Sequence, residues 1–123
     1  MKKILVLGVG AQGSAAAKRL DKEPNVKEII CADYDMKAVE SVVASITKGR
    51  GMFVDAHDRQ SIIDAAQGVD LILNGLPLEC TENVLEAALA VKANYQDYAG
   101  TTELYNMWYE SDLGKMPEDN PPH

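Results

Sequence analysis

KILVLGVGAQGSAAAKRL, residues 3–20, decides how this chain folds. Ile4, Leu5, Val6 and Leu7 form an unbroken apolar run of strand length. A strand covered by helices on both faces, as in a parallel sheet, reads this way. Gly8, Gly10 and Gly13 follow as G-x-G-x-x-G. The alanine-rich SAAAKRLDKE behind them favours helix, which Pro24 ends. Strand, glycine turn and helix therefore succeed one another within a single short stretch.

The pattern repeats outward. EIICAD, residues 28–33, is a second strand. Met36, Val39, Val42, Val43 and Ile46 stripe a helix over residues 36–47, with Asp35 as its N-cap, and Gly49 and Gly51 punctuate its end. GMFVDA, residues 51–56, is a third strand. Asp58 caps a short helix over 59–67, which Gly68 stops. VDLILNG, residues 69–75, is a fourth strand. Pro77 breaks the chain, and a helix over 81–92 is expected to bury Val84, Leu85, Ala88, Leu89 and Val91. A fifth strand covers 95–99, and Thr102 caps a last helix carrying Leu104, Met107 and Trp108. Residues 114–123 hold three of the five prolines and no apolar period, the composition of a mobile tail. One dinucleotide-binding domain over 1–113 and this tail are the expected parts. Strands alternating with helices imply parallel pairing and right-handed crossovers. The expected fold is α/β, a doubly wound parallel sheet of Rossmann-like type with strand order 3-2-1-4-5.

G-x-G-x-x-G alone is a weak pattern. Here it leaves a buried strand and opens a helix, and Asp33 ends the next strand 20 positions after Gly13. Those conditions turn it into a dinucleotide fingerprint, against the bland alternative of a glycine-rich turn without a ligand. Gly8 permits the tight turn, Gly10 lets a pyrophosphate approach the backbone, and Gly13 lets helix and strand pack closely. The N–H groups around Ala11 and Gln12 face the phosphates, and the helix dipole adds to the attraction. Asp33 accepts from the adenosine ribose hydroxyls and opposes a 2′-phosphate, so NAD is expected and NADP is the less favoured cofactor. Lys37, in the next helical turn, works against that preference. Ligands in open α/β sheets sit at the carboxyl ends of the strands. Asp55 and Ala56 then belong near the adenine, and Asn74, Gly75, Leu76 and Pro77 line the nicotinamide-ribose side.

Length, charge and cysteines set the bounds. The chain has 123 residues, a one-domain length at which roughly two-thirds of the unfolded surface can be buried. It has 12 Lys and Arg against 19 Asp and Glu, a formal net charge of −7 that argues against a broad nucleic-acid surface. There is no apolar run long enough to span a membrane, and the one after Lys3 is too short for a signal peptide. Cys31 and Cys80 stand 49 positions apart and make no metal-ligand pattern with the two histidines. Reduced thiols in a cytoplasmic protein are expected. His57 reads as a solvated loop residue. Cys80 reads as unreactive despite its place at a helix start, and the cluster of Tyr105, Met107, Trp108 and Tyr109 reads as packing.

Three stretches carry a resemblance: KILVLGVGAQGSAAAKRL, VDAHDRQSIIDAAQGVDLILNGLP and NVLEAALAVKANYQDYAG. They resemble the N-terminal NAD(P)-binding domain of the saccharopine dehydrogenase family, which includes lysine dehydrogenases and related amino-acid oxidoreductases. The resemblance covers roughly residues 1–100. The first stretch is shared by many Rossmann proteins, and the order NGLP, NVLEAAL, YQDYAG is more specific. The resemblance implies dinucleotide contacts at Gly8, Gly10, Ala11, Gln12, Asp33, Asp55, Asn74 and Leu76, with NGLP as the nicotinamide-side loop. It also implies a substrate domain that this chain does not carry. A cofactor domain of an amino-acid oxidoreductase, without turnover of its own and with no catalytic residue or metal ligand assigned, is therefore expected. A nucleotide-sensing module similar to those attached to potassium channels is the alternative. The bare edge of the fifth strand suggests a homodimer through residues 95–108, against a monomer whose last helix covers that edge.

Overall fold

The structure is a computed structural model that describes residues 1–97. The helix expected after Thr102, the aromatic cluster at 105–109, the tail and most of the expected subunit contact lie outside them. The elements are β1 (Lys2–Leu7), α1 (Ala11–Leu20), β2 (Val26–Asp33), α2 (Met36–Ala44), β3 (Gly49–Phe53), α3 (Arg59–Ala65), β4 (Leu71–Asn74), a single 3-10 turn (Leu78–Cys80), α4 (Thr81–Val91) and β5 (Asn94–Asp97). The strands form one sheet in the order β3-β2-β1-β4-β5, with every described pair parallel. This is the doubly wound arrangement expected from the sequence.

Alternation along the strands builds two cores. Ile4, Val6, Ile29, Cys31, Leu71 and Leu73 meet Ala16, Ala17 and Leu20 of α1 and Val39 and Val42 of α2. Leu5, Leu7, Ile30, Ala32 and Ile72 point the other way, onto Ile62 of α3 and Val84, Ala87 and Ala88 of α4. Among the described residues no helix is long and apolar enough to cross a membrane.

Several boundaries shift by one or two residues, α3 for instance ending at Ala65 ahead of Gly68, and three further departures reshape the packing. First, α2 stops at Ala44 instead of continuing to Thr47. The Ser45 and Ile46 N–H groups tighten onto the carbonyls of Val42 and Val43, and the Thr47 and Lys48 N–H groups donate to the Asp21 carboxylate at 3.0 and 2.8 Å. Burial works to raise the Asp21 pKa, but the donors of Thr47 and Lys48 outweigh it and hold the group below its ordinary value. Second, β3 starts at Gly49 and ends at Phe53. The glycines do not stop the strand; they let α2 lie on it. A Cβ on Gly51 would come within 2.7 Å of Val39 Cγ1, and one on Gly49 within 2.5 Å of Ile46 Cδ1.

Third, α4 buries Val84, Ala87 and Ala88 and half-buries Val91, an i, i+3, i+4, i+7 face. Leu85 and Leu89, expected inside, are 41% and 79% exposed. Small alanines line the inner face, in one core with Ile62 and Ala65 of α3 and Leu5 and Ile72 of the sheet, and the two leucines lie on the outer face. The last turn closes on Lys92, whose φ of 60° is left-handed.

Two outcomes are expected. Gly51→Val forces a branched side chain against the stiff, fully buried Val39, so urea denaturation should show a loss of about 1–3 kcal/mol. Gly10→Val, where a Cβ meets nothing within 4 Å, should change stability little. The second outcome concerns Cys31. Burial pushes its thiol up to about 11, and the Asp21 carboxylate adds to the shift. Above the ordinary thiol pKa the unfolded chain binds fewer protons than the folded one, so stability should fall as pH rises from about 9 to about 11. Denaturation across that window should give a shallower decline in Cys31→Ala than in the parent.

Candidate functional site

The candidate site lies along the carboxyl ends of the strands, where the winding direction reverses between β1 and β4. β1 leaves the sheet at Leu7, and Gly8 turns the chain with φ +86°, a conformation that side chains rarely tolerate. A Cβ there would also stand 3.1 Å from the carbonyl carbon and oxygen of Gly75. The two glycine turns thus press backbone against backbone across the switch point. Two further bonds secure them: Gly8 N–H donates to Ala32 O and Gly75 N–H to Leu7 O, each at 2.8 Å.

Gly10 is the N-cap of α1 and has extended geometry. It has no side-chain cap, and no acid lies in the first turn. The helix start therefore keeps its partial positive charge, with Ala11 and Gln12 exposed and Gly13 buried against the sheet. Ser14 N–H donates to Gly10 O at 2.9 Å and its hydroxyl to Val9 O at 3.0 Å, which fixes the turn without covering its rim. The open space at Gly10 and the uncapped N–H groups fit a pyrophosphate.

Asp33, the last residue of β2, is held by this turn. Its Oδ2 accepts from Val9 N–H at 2.9 Å, and its Oδ1 accepts from Asp35 N–H at 3.2 Å. Each oxygen keeps a further lone pair for a hydroxyl. Asp35 caps α2 as expected, accepting from the N–H groups of Lys37 and Ala38 at 3.1 and 3.3 Å. Two aromatic side chains that the sequence reading had passed over flank Asp33. Tyr34 follows it and is 76% exposed; Phe53, its register partner on β3, is 56% exposed. Large exposed rings beside a strand-end acid are the signal that could have found them.

Asp55 and Ala56 sit in the turn after β3. Asp55 N–H donates to Ser61 Oγ, its carboxylate accepts from His57 N–H, each at 3.0 Å, and Ala56 O accepts from the Asn83 amide at 3.3 Å. The turn is internally tied and docked on α4, with the Asp55 side chain exposed.

On the other side, Asn74 is 1% exposed beside Leu7 in the sheet register. Its Oδ1 accepts from Leu76 N–H at 3.0 Å, and its Nδ2 donates to Tyr95 Oη at 3.0 Å. Gly75 and Pro77 are exposed and Leu76 packs on the second core. Tyr95, half-buried against the second core, donates to Asp97 Oδ2 at 3.4 Å. The sequence reading did not connect Tyr95 or Asp97 with this turn, because nothing in their spacing relates β5 to β4. Burial raises the Cys80 pKa, and the Glu79 and Asp55 carboxylates add to it, so the thiol stays protonated. No metal-binding cluster of His, Cys, Asp or Glu occurs among the described residues.

The fold is shared with known proteins. Residues 4–121 match the saccharopine dehydrogenase NADP binding domain family. Meso-2,3-butanediol dehydrogenase from Serratia marcescens is 30% identical over 98 residues, which cover 72% of this chain and 38% of that protein. A saccharopine dehydrogenase (L-Glu forming) from Saccharomyces cerevisiae superposes with a TM-score of 0.73 at 14% identity, over 88% of this chain and 24% of that one. An NADPH-dependent quinone oxidoreductase from Escherichia coli superposes with a TM-score of 0.59 at 27% identity, over 73% and 32% of the two chains. This chain therefore spans well under half the length of each of these proteins. With the match covering nearly all of its residues, the chain belongs to the saccharopine dehydrogenase NADP binding domain family.

Proposed function

We propose that this chain is the cofactor-holding domain of a nicotinamide-dependent oxidoreductase acting on an amino acid, with the substrate site supplied outside it. The open, uncapped start of α1 at Gly10, tied to Asp33 through Val9 N–H, carries this reading. The bound dinucleotide supplies the hydride chemistry, and the domain supplies binding and orientation. Gly10, Ala11 and Gln12 present N–H groups to the pyrophosphate. Asp33 receives ribose hydroxyls, and the adenine lies toward Tyr34, Phe53 and the Asp55–Ala56 turn, where the exposed rings offer flat apolar surface. Asn74, Gly75, Leu76 and Pro77 face the nicotinamide side.

Two considerations oppose each other over the choice of cofactor. The family description names NADP. The Asp33 carboxylate, held in place by two backbone donors, favours an unphosphorylated ribose. Exposed Lys37, in the first turn of α2, is a cation that could offset it. On the strength of the Asp33 tether, NAD(H) is the tighter ligand.

Calorimetric titration tests both parts. Gly10→Val should abolish dinucleotide binding while leaving the urea midpoint nearly unchanged, and parent-like binding by that variant would show the site to be misassigned. NAD(H) should bind more tightly than NADP(H) by about 1–3 kcal/mol, from lost ribose hydrogen bonds and charge repulsion. Equal or tighter NADP(H) binding that Lys37→Ala reverses would give the decision to Lys37.

A further inference from the structure

We infer that Tyr95 and Asp97 are positioning residues for the turn after β4, acting through the Asn74 carboxamide. The inference rests on the reading that this turn holds the nicotinamide side of a dinucleotide, and it adds two residues from a different strand to that site.

Three linked hydrogen bonds carry it. The Tyr95 hydroxyl donates to Asp97 Oδ2 at 3.4 Å, so the oxygen's lone pairs are left to accept from Asn74 Nδ2 at 3.0 Å. That fixes which end of the carboxamide points to β5. Its oxygen is thereby presented to Leu76 N–H, again at 3.0 Å. A reversed carboxamide would set its amino group against the Leu76 N–H, donor to donor. Asn74 is 1% exposed, so water cannot readily stand in for a missing partner. The register places Asn74 directly opposite Asp97 on β5, and Tyr95 two positions earlier on that strand. The orientation of the turn is thus set from the neighbouring strand. Gly75, between Asn74 and Leu76, is the residue against which Gly8 presses, so the setting reaches the glycine-rich loop itself.

Burial raises the Tyr95 pKa; the Asn74 amide opposes the shift and the Asp97 carboxylate adds to it, with a net rise that keeps the hydroxyl protonated. The tyrosine ring packs against the second core, so Tyr95→Phe removes one oxygen and keeps the packing.

The test uses the full chain with NAD and NADP as whole cofactors and ADP as the half that does not reach the turn. In Tyr95→Phe, the affinity for the whole cofactor should fall about tenfold, the scale of one buried hydrogen bond, with ADP affinity changed less than about twofold. Amide hydrogen exchange at Leu76 should speed up about tenfold relative to the core amides of β1, which report global opening. Asp97→Asn should shift both readouts the same way by a smaller factor, and it serves as the second variant if Tyr95→Phe is poorly folded. Equal weakening of whole cofactor and ADP, or unchanged relative exchange at Leu76, would overturn the inference. If the parent binds none of the three probes, the dinucleotide reading fails, while exchange at Leu76 still decides whether Tyr95 and Asp97 hold the turn.

Discussion

The central strand meets water on neither face. Ile4, Leu5, Val6 and Leu7 are each fully buried, two against α1 and α2 and two facing α3 and α4. A strand in that position needs hydrogen-bonding neighbours on both edges and helices above and below. β2 and β4 meet the first requirement and the crossovers the second. The same burial confines the chain's exit. Leaving a covered strand and entering a covering helix allows very few residues, and the left-handed Gly8 is how the chain does it. The turn that fits a pyrophosphate is therefore also the turn that the central strand requires.

Polar ties decide how that turn is held. Asp33 grips Val9 N–H from the β2 side, and Asn74 grips Leu76 N–H from the β4 side. Each tie uses a side chain at the end of a strand to fix the backbone of a loop. The glycine-rich loop and the turn after β4 meet where Gly8 touches Gly75. Apolar packing sets the position of the strands, and these few hydrogen bonds set the direction of the loops between them. Among the described residues this end of the sheet offers backbone donors, a carboxylate acceptor and apolar rings, an inventory suited to binding and orienting a cofactor.

Much of the fold was legible because it rests on local patterns. The apolar run at 4–7 and the caps at Asp35 and Asp58 each report their own element, while α3 closes on Ala66 before reaching Gly68. Strand order followed from alternation and crossover handedness. The reading failed where a decision depended on a distant surface. Leu85 and Leu89 are more apolar than Ala87, yet the face that packs on α3 and the sheet carries the alanine. Gly49 and Gly51 resemble a break until α2 is seen to lie on them. At this end of the sheet, the positions of Gly8, Gly10 and Asp33 were readable from spacing and that of Asn74 from the end of its strand. Tyr95 and Asp97 were not, because their part depends on the register between β4 and β5, which sequence does not display.

The seating of α2 on β3 also constrains the order in which this sequence can change. Gly49 and Gly51 lack side chains because Ile46 and Val39 occupy the space a Cβ would need. Gly51 can gain a side chain cheaply only after the fully buried Val39 has shrunk, whereas the end of the half-buried Ile46 side chain at Gly49 can turn aside. A smaller residue at 39, taken alone, leaves a cavity and is itself costly. Both single steps run downhill in stability while the compensated pair need not, so the two positions are energetically coupled. A side chain at 51 is therefore compatible with this contact only together with a smaller one at 39, and the gap between helix and strand belongs to both residues at once.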